Sequence, residues 1–225
     1  MTNNSNLSTR LTRLANLDTN TISDALDFLE LDGATFGVRP LWNCKKIVGR
    51  ASTVKLGPKQ TEKPTVHLIS PVIDAVNESS HDRILVIAGG TDGVSCWGDI
   101  LANAAKQKNI QGTVIDGCSR DIDGSESIDY PLYGKGITMI SARNRVIQLD
   151  SACPLQFAGI TVNEDDYVIA DGCGTVFIPA SEIDAVIELA ERIDTRQNGM
   201  VEAVRSGKSV AEVMHDKQFE AINNS

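Results

Sequence analysis

Residues 97–121 read WGDILANAAKQKNIQGTVIDGCSRD, and this stretch decides the fold prediction. From Asp99 onward, small and apolar residues recur at helical spacing, which predicts a helix. The apolar run 112–115 then predicts a buried strand that ends at an Asp-Gly turn. A similar apolar run at 82–88 precedes the stretch and ends at Gly89-Gly90. Strand, helix and strand therefore alternate with short connections, which is typical of a βαβ unit in an α/β protein.

The segments on either side of this unit predict helices at both ends of the chain. Apolar periodicity predicts helices over 11–31, with a break near Asp18 and a cap at Thr19 or Thr21. A long amphipathic helix is expected after Ser181, followed by a short helix. Strand-like runs separated by Gly, Asn and Asp lie between, at 47–48, 51–56, 136–140, 159–162, 167–170 and 175–178.

The length of 225 residues fits a single domain, because domains grow to roughly 250 residues before they divide. Hydrophobic residues make up 41% of the chain, so a core can form. We expect residues 9–225 to be one α/β domain. Residues 1–8 are polar and rich in Asn and Ser, and we expect a disordered tail there.

Charge and cysteine content exclude several classes of protein. The net charge is −9, and Lys and Arg are scattered, whereas a nucleic-acid surface needs clustered positive charge. No apolar run approaches the roughly 20 residues of a membrane helix. The five cysteines are an odd number without a CxxC pair, which favours reduced thiols and a cytoplasmic location. We therefore expect neither a nucleic acid nor a membrane as a partner.

Two polar turns, 89–99 and 116–123, follow the two predicted strands. Ligands of open α/β sheets bind outside the carboxyl ends of strands, so Asp99, Arg120 and Asp121 would converge there if the strands are neighbours. Carboxylates are hard oxygen ligands for Mg²⁺ or Mn²⁺, and an Arg fork matches a carboxylate or an enolate oxygen. The start of the helix also favours an anion.

Simpler interpretations of these residues exist. Asp99 could only stabilise a helix N-terminus, where Asp is favoured in any protein. Arg120 and Asp121 could form a turn with a surface ion pair. Spacing alone leaves these alternatives open.

The same stretch resembles the RraA-like family, which includes 4-hydroxy-4-methyl-2-oxoglutarate (HMG/CHA) aldolases that also decarboxylate oxaloacetate. The signature of those enzymes is an Asp, twenty residues and then Arg-Asp, and twenty residues separate Asp99 from Arg120 here. Further family-like pieces occur in the family's order, at Ser23-Asp24-Ala25-Leu26, Pro40-Leu41-Trp42, Val48-Gly49-Arg50-Ala51, residues 157–162 and Ala170-Asp171-Gly172.

The resemblance implies a β/β/α sandwich of the swivelling-domain type, assembled as a homotrimer or homohexamer with the active site between protomers. It implies a lyase that cleaves 4-hydroxy-2-oxo acids to pyruvate, or decarboxylates oxaloacetate, with Mg²⁺ or Mn²⁺ as cofactor. Helices after Ser181 would then contribute to a neighbour's site. Gly124 departs from the family, many of whose members carry an acidic residue there, and Asp123 or Glu126 could substitute for it.

The family's residue roles transfer onto matching positions. Asp121 would ligate the metal, and Asp99 would orient a metal-bound water and take part in proton transfer. Arg120 would bind the 2-oxo acid and stabilise the enolate. The backbone amides of Ile100 and Leu101 would bind the substrate carboxylate, and Gly98 would allow close approach of the ligand.

Two other functions compete with this assignment. A non-catalytic regulator of a ribonuclease would share the RraA-like fold but lack the full set of Asp and Arg-Asp, which this chain has. A methyltransferase is a label attached to similar sequences. The Gly-rich segment 89–93 is not GxGxxG, and no acidic residue is placed to bind a ribose.

Overall fold

The computed structural model describes residues 2–59, 69–77 and 81–214. Its helices are α1 Thr2–Ala15, α2 Thr19–Phe28, α3 Ser70–Ala75, α4 Asp99–Gln107, α5 Ile122–Ser127, α6 Ile183–Arg205 and α7 Val210–Val213. Its strands are β1 Arg39–Pro40, β2 Ile47–Pro58, β3 Arg83–Ala88, β4 Gly112–Ser119, β5 Leu132–Ile137, β6 Val146–Ser151, β7 Leu155–Phe157, β8 Ile160–Val162, β9 Tyr167–Ala170 and β10 Thr175–Ile178.

The main sheet has a parallel centre and antiparallel edges. Its order is β1-β5-β4-β3-β2-β9-β10, and β6 pairs with the far end of β2. Strands β2, β3, β4 and β5 run parallel to one another, whereas β1, β6, β9 and β10 pair antiparallel. The predicted βαβ unit is therefore confirmed, with α4 connecting β3 to β4.

Alternate residues of the central strands pack on opposite faces of the sheet. In β3, Leu85 and Ile87 join a core cluster with α3 and α4. Ile84 and Val86 join another cluster that contains residues of the β7–β8 hairpin. In that cluster, Phe157 packs edge to face on Phe177 with ring centroids 5.0 Å apart. Burial of both faces explains why these strands are continuously apolar rather than alternating in polarity.

The helices at the two ends of the chain cover a third core cluster, the terminal cluster, which is built on β9 and β10. Leu14 of α1, Leu26 of α2 and Ile187 of α6 are all buried in it. The layers are thus a hairpin, a main sheet and flanking helices. This arrangement confirms the expected α/β sandwich in a single domain.

Several local predictions need correction. Helix α1 begins at Thr2, where a disordered tail is predicted for 1–8, because Leu7 and Leu11 continue the apolar face that packs on the terminal cluster. The cap of α2 is Asp18 rather than Thr19 or Thr21, and its carboxylate accepts a hydrogen bond from the Thr21 N–H at 2.7 Å. The strand predicted at 136–140 is β5, which begins four residues earlier, at Leu132.

None of the helices in the described ranges combines the length and the apolar character that crossing a membrane requires.

Candidate active site

The candidate site lies where the loops after β3 and β4 meet. The two strands are parallel neighbours, with Ile87 opposite Ile115, so both loops leave the same edge of the sheet. Backbone hydrogen bonds then join the loops directly: the Cys96 N–H donates to the Cys118 carbonyl and the Arg120 N–H donates to the Trp97 carbonyl, both at 3.1 Å. Residues distant in sequence are therefore held in one frame of backbone contacts.

Trp97 attaches these two loops to the core of the protein. Its side chain is 2% exposed and stacks on Tyr130, with ring centroids 6.1 Å apart. Its carbonyl also accepts hydrogen bonds from the hydroxyls of Ser95 at 2.7 Å and Ser119 at 3.3 Å. The buried Trp97 ring and the hydrogen bonds to the Trp97 carbonyl thus fix the loop that carries the next residues, Gly98 and Asp99.

Asp99, Arg120 and Asp121 come together, as the spacing of the two turns predicts. Oδ2 of Asp121 lies 3.3 Å from the Nε of Arg120 and 3.4 Å from the backbone nitrogen of Asp99. Asp121 has a positive φ of 55°, a conformation that Asp tolerates better than most residues. The side chains of Arg120 and Asp121 remain 42% and 37% exposed, so a ligand can reach both.

Gly98 is needed for the close approach of these groups. A Cβ at this position would lie 2.7 Å from Oδ2 of Asp121 and 3.3 Å from Nε of Arg120. The backbone of Gly98 is extended, with φ −164°, so an L residue could adopt it. Glycine is therefore needed at this position because a Cβ would have no space beside the side chains of Arg120 and Asp121.

The first turn of α4 presents backbone N–H groups beside Asp121. The Asp99 N–H points to Asp121, and the Ile100 N–H donates to Oδ1 of Asp99 at 2.7 Å. The Leu101 N–H has no acceptor in the described part of the chain. The predicted carboxylate site on the amides of Ile100 and Leu101 is thus half occupied by the Asp99 carboxylate, and a substrate would have to displace it.

These groups line one cavity of about 670 Å³. All the predicted site residues border it: Gly98, Asp99, Ile100, Leu101, Arg120 and Asp121. The remaining lining comes from the loop before β6, from β6 itself and from isolated positions, and includes Lys59, Arg143, Asn144, Gln148 and Leu149. Sequence reasoning missed this second segment, because β6 pairs with β2 across about ninety residues and carries no periodic signal of its own.

Cys96 borders the cavity but is unsuited to nucleophilic chemistry. Burial, together with a smaller effect of the nearby Cys118, raises the pKa of its thiol to about 12. A thiol in such surroundings stays protonated at neutral pH, and the thiolate is the reactive form. The candidate chemistry of the cavity therefore rests on Asp99, Arg120 and Asp121.

The donor set fits a hard cation that keeps most of its water. Across the described ranges, no group of three or more His, Cys, Asp and Glu side chains could enclose a metal. Mg²⁺ commonly binds through one or two carboxylates and retains several waters, so a single accessible carboxylate such as that of Asp121 is a sufficient protein ligand. A site built for Zn²⁺ would need more protein ligands.

Gly124 touches the site from α5. A Cβ added there would lie 2.9 Å from the Cβ of Asp99. An acidic side chain at this position, as in many members of the family that the sequence resembles, would require Asp99 to move. Asp123 and Glu126 are exposed and do not line the cavity, so neither takes the place of that acidic group.

Comparison with known proteins gives a consistent assignment. A family model described as "RraA-like: Aldolase/RraA" matches residues 19–177. Protein DlpA of Legionella pneumophila is 32% identical over 93% of this chain, although the chain spans only 34% of DlpA. A Halalkalibacterium halodurans protein named "Putative 4-hydroxy-4-methyl-2-oxoglutarate aldolase" is 28% identical, covering 81% of this chain and 82% of its own length.

Among solved structures, an uncharacterised protein from Pseudomonas syringae pv. tomato superimposes with a TM-score of 0.80. It is 32% identical, and the match covers 92% of this chain and 96% of that one. The family model spans well over half of the 225 residues and includes both loops of the candidate site. The chain therefore belongs to the RraA-like family.

Proposed function

We propose that this chain is a divalent-metal-dependent lyase that cleaves 4-hydroxy-2-oxo acids to pyruvate or decarboxylates oxaloacetate. The observation that carries the proposal is the convergence of Asp99, Arg120 and Asp121 on one cavity, beside the first turn of α4. The aldolase name of the Halalkalibacterium halodurans relative supports the same reaction class.

Recognition of the substrate follows from the charges at the site. The guanidinium of Arg120 is a planar fork that pairs with the 2-oxo acid and with the oxygen that becomes the enolate. The Leu101 N–H, which has no acceptor among the described residues, and the N-terminal end of α4 favour the carboxylate of the same molecule. In a chain of net charge −9, such locally placed positive groups are what an anionic substrate needs.

Retro-aldol cleavage requires one group that stabilises the negative charge of the enolate and one group that accepts the hydroxyl proton. In retro-aldol cleavage the 4-hydroxyl loses its proton, the C3–C4 bond breaks and its electrons form the pyruvate enolate, while C4 becomes a carbonyl. In decarboxylation of oxaloacetate the C3–C4 bond breaks with loss of carbon dioxide, and in both reactions protonation of the enolate at C3 gives pyruvate. Asp99, whose carboxylate is exposed in the cavity, is the acceptor for the hydroxyl proton. Arg120 stabilises the enolate charge as a preorganised donor.

Mg²⁺ or Mn²⁺ is the cofactor that this proposal assigns, with Asp121 as its protein ligand. Bound there, the cation would supply Lewis-acid stabilisation of the enolate oxygen. The guanidinium of Arg120, whose Nε lies 3.3 Å from Oδ2 of Asp121, holds that carboxylate in the orientation needed for binding. Gly98 provides the space in which both side chains approach the backbone.

The direct test is pyruvate release from oxaloacetate and from a panel of 4-hydroxy-2-oxo acids, with Mg²⁺ or Mn²⁺ and with EDTA. A metal-only blank corrects for the uncatalysed decarboxylation of oxaloacetate. We expect metal-dependent turnover that EDTA abolishes and that Asp121→Asn lacks. Turnover that persists in EDTA would contradict the metal-assisted mechanism.

The family description also covers RraA proteins, so a regulator of a ribonuclease is the alternative. The complete set of Asp99, Arg120 and Asp121 in an open cavity favours catalysis, since a protein that only binds a partner does not need it. Absence of turnover for every substrate with either metal would favour the regulator. A methyltransferase would instead bind S-adenosylmethionine in calorimetry.

Exposed apolar side chains support the expected homotrimer or homohexamer. Ile137 at the end of β5 is 61% exposed, and Met139 and Ile140, which follow the strand, are 90% and 44% exposed. Exposed apolar side chains so close in sequence are common at protein interfaces. Light scattering coupled to size-exclusion chromatography tests this, and a monomeric mass at micromolar concentration would contradict it.

A further inference from the structure

The cavity carries more positive charge than a 2-oxo acid head group uses. We propose that Arg143, assisted by Lys59, is the group that binds the second carboxylate, which oxaloacetate and 4-hydroxy-4-methyl-2-oxoglutarate both carry, and that it thereby determines the preference for dicarboxylic substrates. This inference rests on the proposed function, because it assigns a binding site to the second carboxylate of the same substrate. It concerns a segment, residues 141–149, that the catalytic proposal does not use.

The loop that carries Arg143 is held by its own hydrogen bonds. The Arg143 N–H donates to the Ser141 hydroxyl at 3.1 Å, and the Arg145 N–H donates to the Ala142 carbonyl at 2.8 Å. The Arg145 guanidinium also donates to the Ser141 carbonyl at 3.0 Å. The next residue, Val146, is only 6% exposed and packs in the core. The backbone at Arg143 is thus held in place before any ligand binds.

The loop that carries Arg143 also contacts the loop after β3, which carries Trp97, Gly98 and Asp99. Ser141 forms a bridge with Ser95, which precedes Trp97, and the Ser95 N–H donates to the Ile140 carbonyl at 2.8 Å. Arg143 and Arg120 consequently border the same cavity although they belong to different segments. A molecule bound at Arg120 can extend within this cavity toward Arg143.

The guanidinium of Arg143 has no ion-pair or hydrogen-bond partner in the described part of the chain. Its neighbour Arg145 differs, because that guanidinium is occupied by loop carbonyls. Lys59 lies close by, with its Nζ 3.5 Å from Oδ1 of Asn144 and its backbone N–H bonded to the Arg145 carbonyl. An unpaired Arg fork beside a second cation suits a carboxylate, for which it provides parallel donors.

Charge and size agree with an extended dianion. Among the described residues, the charged lining consists of Lys59, Arg120 and Arg143 against Asp99 and Asp121. A divalent cation on Asp121 would make the cavity more positive still. The volume of about 670 Å³ falls in the range of roughly 300–1,000 Å³ that holds ligands much larger than pyruvate.

The test compares two five-carbon ligands, 2-oxoglutarate and 2-oxopentanoate, which differ in a terminal carboxylate against a methyl group. Calorimetry in Mg²⁺ buffer measures the Kd of each for the whole protein. Because hydrogen bonds to charged groups carry most of such selectivity, we expect the dicarboxylate to bind about 10- to 100-fold more tightly. Arg143→Ala should remove that preference and leave the Kd of 2-oxopentanoate unchanged. Arg143→Lys should retain part of it, since it keeps charge but loses the fork.

Arg205→Ala is the matched control, because Arg205 is exposed on α6, does not line the cavity and changes the net charge equally. It should keep the preference for 2-oxoglutarate. A wild-type protein without that preference, or an Arg143→Ala variant that retains it, would overturn the inference while pyruvate release leaves the proposed function intact. If the wild type neither binds either acid nor releases pyruvate from any substrate, the proposed function fails and the inference fails with it.

Discussion

Substitution of Gly98 by alanine is the sharpest structural perturbation of the proposed site. The new Cβ would lie 2.7 Å from Oδ2 of Asp121, whereas ordinary van der Waals contact begins at 3.4 Å. The Asp121 carboxylate must therefore retreat by roughly 0.7 Å, and Arg120, 3.3 Å from the same Cβ, loses part of its room. Misplacement of catalytic groups by about 1 Å costs on the order of 100-fold in rate, so we expect kcat/KM to fall about 10- to 100-fold.

The fold should tolerate this change. The extended backbone at Gly98 suits alanine, and the loss of a glycine at the helix start costs about 1 kcal/mol at most. The assay is pyruvate release from oxaloacetate with Mg²⁺, measured beside the thermal midpoint. Gly117→Ala is the control, because its Cβ would meet Ile115 and Cys96 only at ordinary distances of 3.6 and 3.7 Å. Full activity of Gly98→Ala with an unchanged midpoint would refute the argument that Asp121 and Arg120 must keep their positions.

Three further predictions concern the site and the stability of the terminal helices. Arg120→Lys should lower kcat/KM by about 100-fold in steady-state kinetics, because a point charge cannot replace the bidentate fork; near-full activity would contradict its role. Gly124→Ala should lower turnover several-fold, because its Cβ would press on Asp99 at 2.9 Å; an unchanged rate would mean that Asp99 is not a positioned group. Hydrogen bonds from arginines of α1 lower the pKa of Asp184 and Glu191. Their stabilising contribution is therefore present above about pH 4 and is lost as the pH falls through the lowered values, by no more than about 1 kcal/mol each at these exposed positions. Urea titrations at pH 6 and pH 3, compared with the Glu191→Gln variant, measure it, and equal losses in both proteins would contradict the contribution of Glu191.

The βαβ unit was predictable because its signals are local. The apolar run before Gly89 and the helical spacing after Asp99 each specify an element without reference to the rest of the chain. Once the two strands are parallel neighbours, geometry places the residues after them at one edge of the sheet. The convergence of Asp99 with Asp121 follows from that pairing.

The second segment of the cavity could not be predicted in this way. Strand β6 mixes apolar and polar residues without a regular alternation, and it is held by pairing with residues of β2 such as Leu56 and Gly57. The position of Arg143 depends on hydrogen bonds within its loop and on contacts with residues near Ser95. Such long-range pairings leave little trace in local periodicity, so the cavity's far end appears only in three dimensions.

The ends of helices illustrate the same limit at a smaller scale. Asp18, rather than either threonine, caps α2, because the chain turns one residue earlier than the apolar pattern indicates. Helix α1 extends to Thr2, because its apolar face finds a partner in α6 and the terminal cluster. Tertiary packing decides both boundaries, and single-residue propensities do not contain it.

The central claim is that Asp121, Arg120 and a divalent cation together stabilise a pyruvate enolate. Exchange of the methyl protons of pyruvate with deuterium, followed by NMR, measures formation of that enolate without any bond cleavage. We predict that the wild-type protein catalyses exchange in Mg²⁺, that EDTA stops it and that Asp121→Asn lacks it. Exchange that continues in EDTA, or that Asp121→Asn retains at the wild-type rate, would contradict the account.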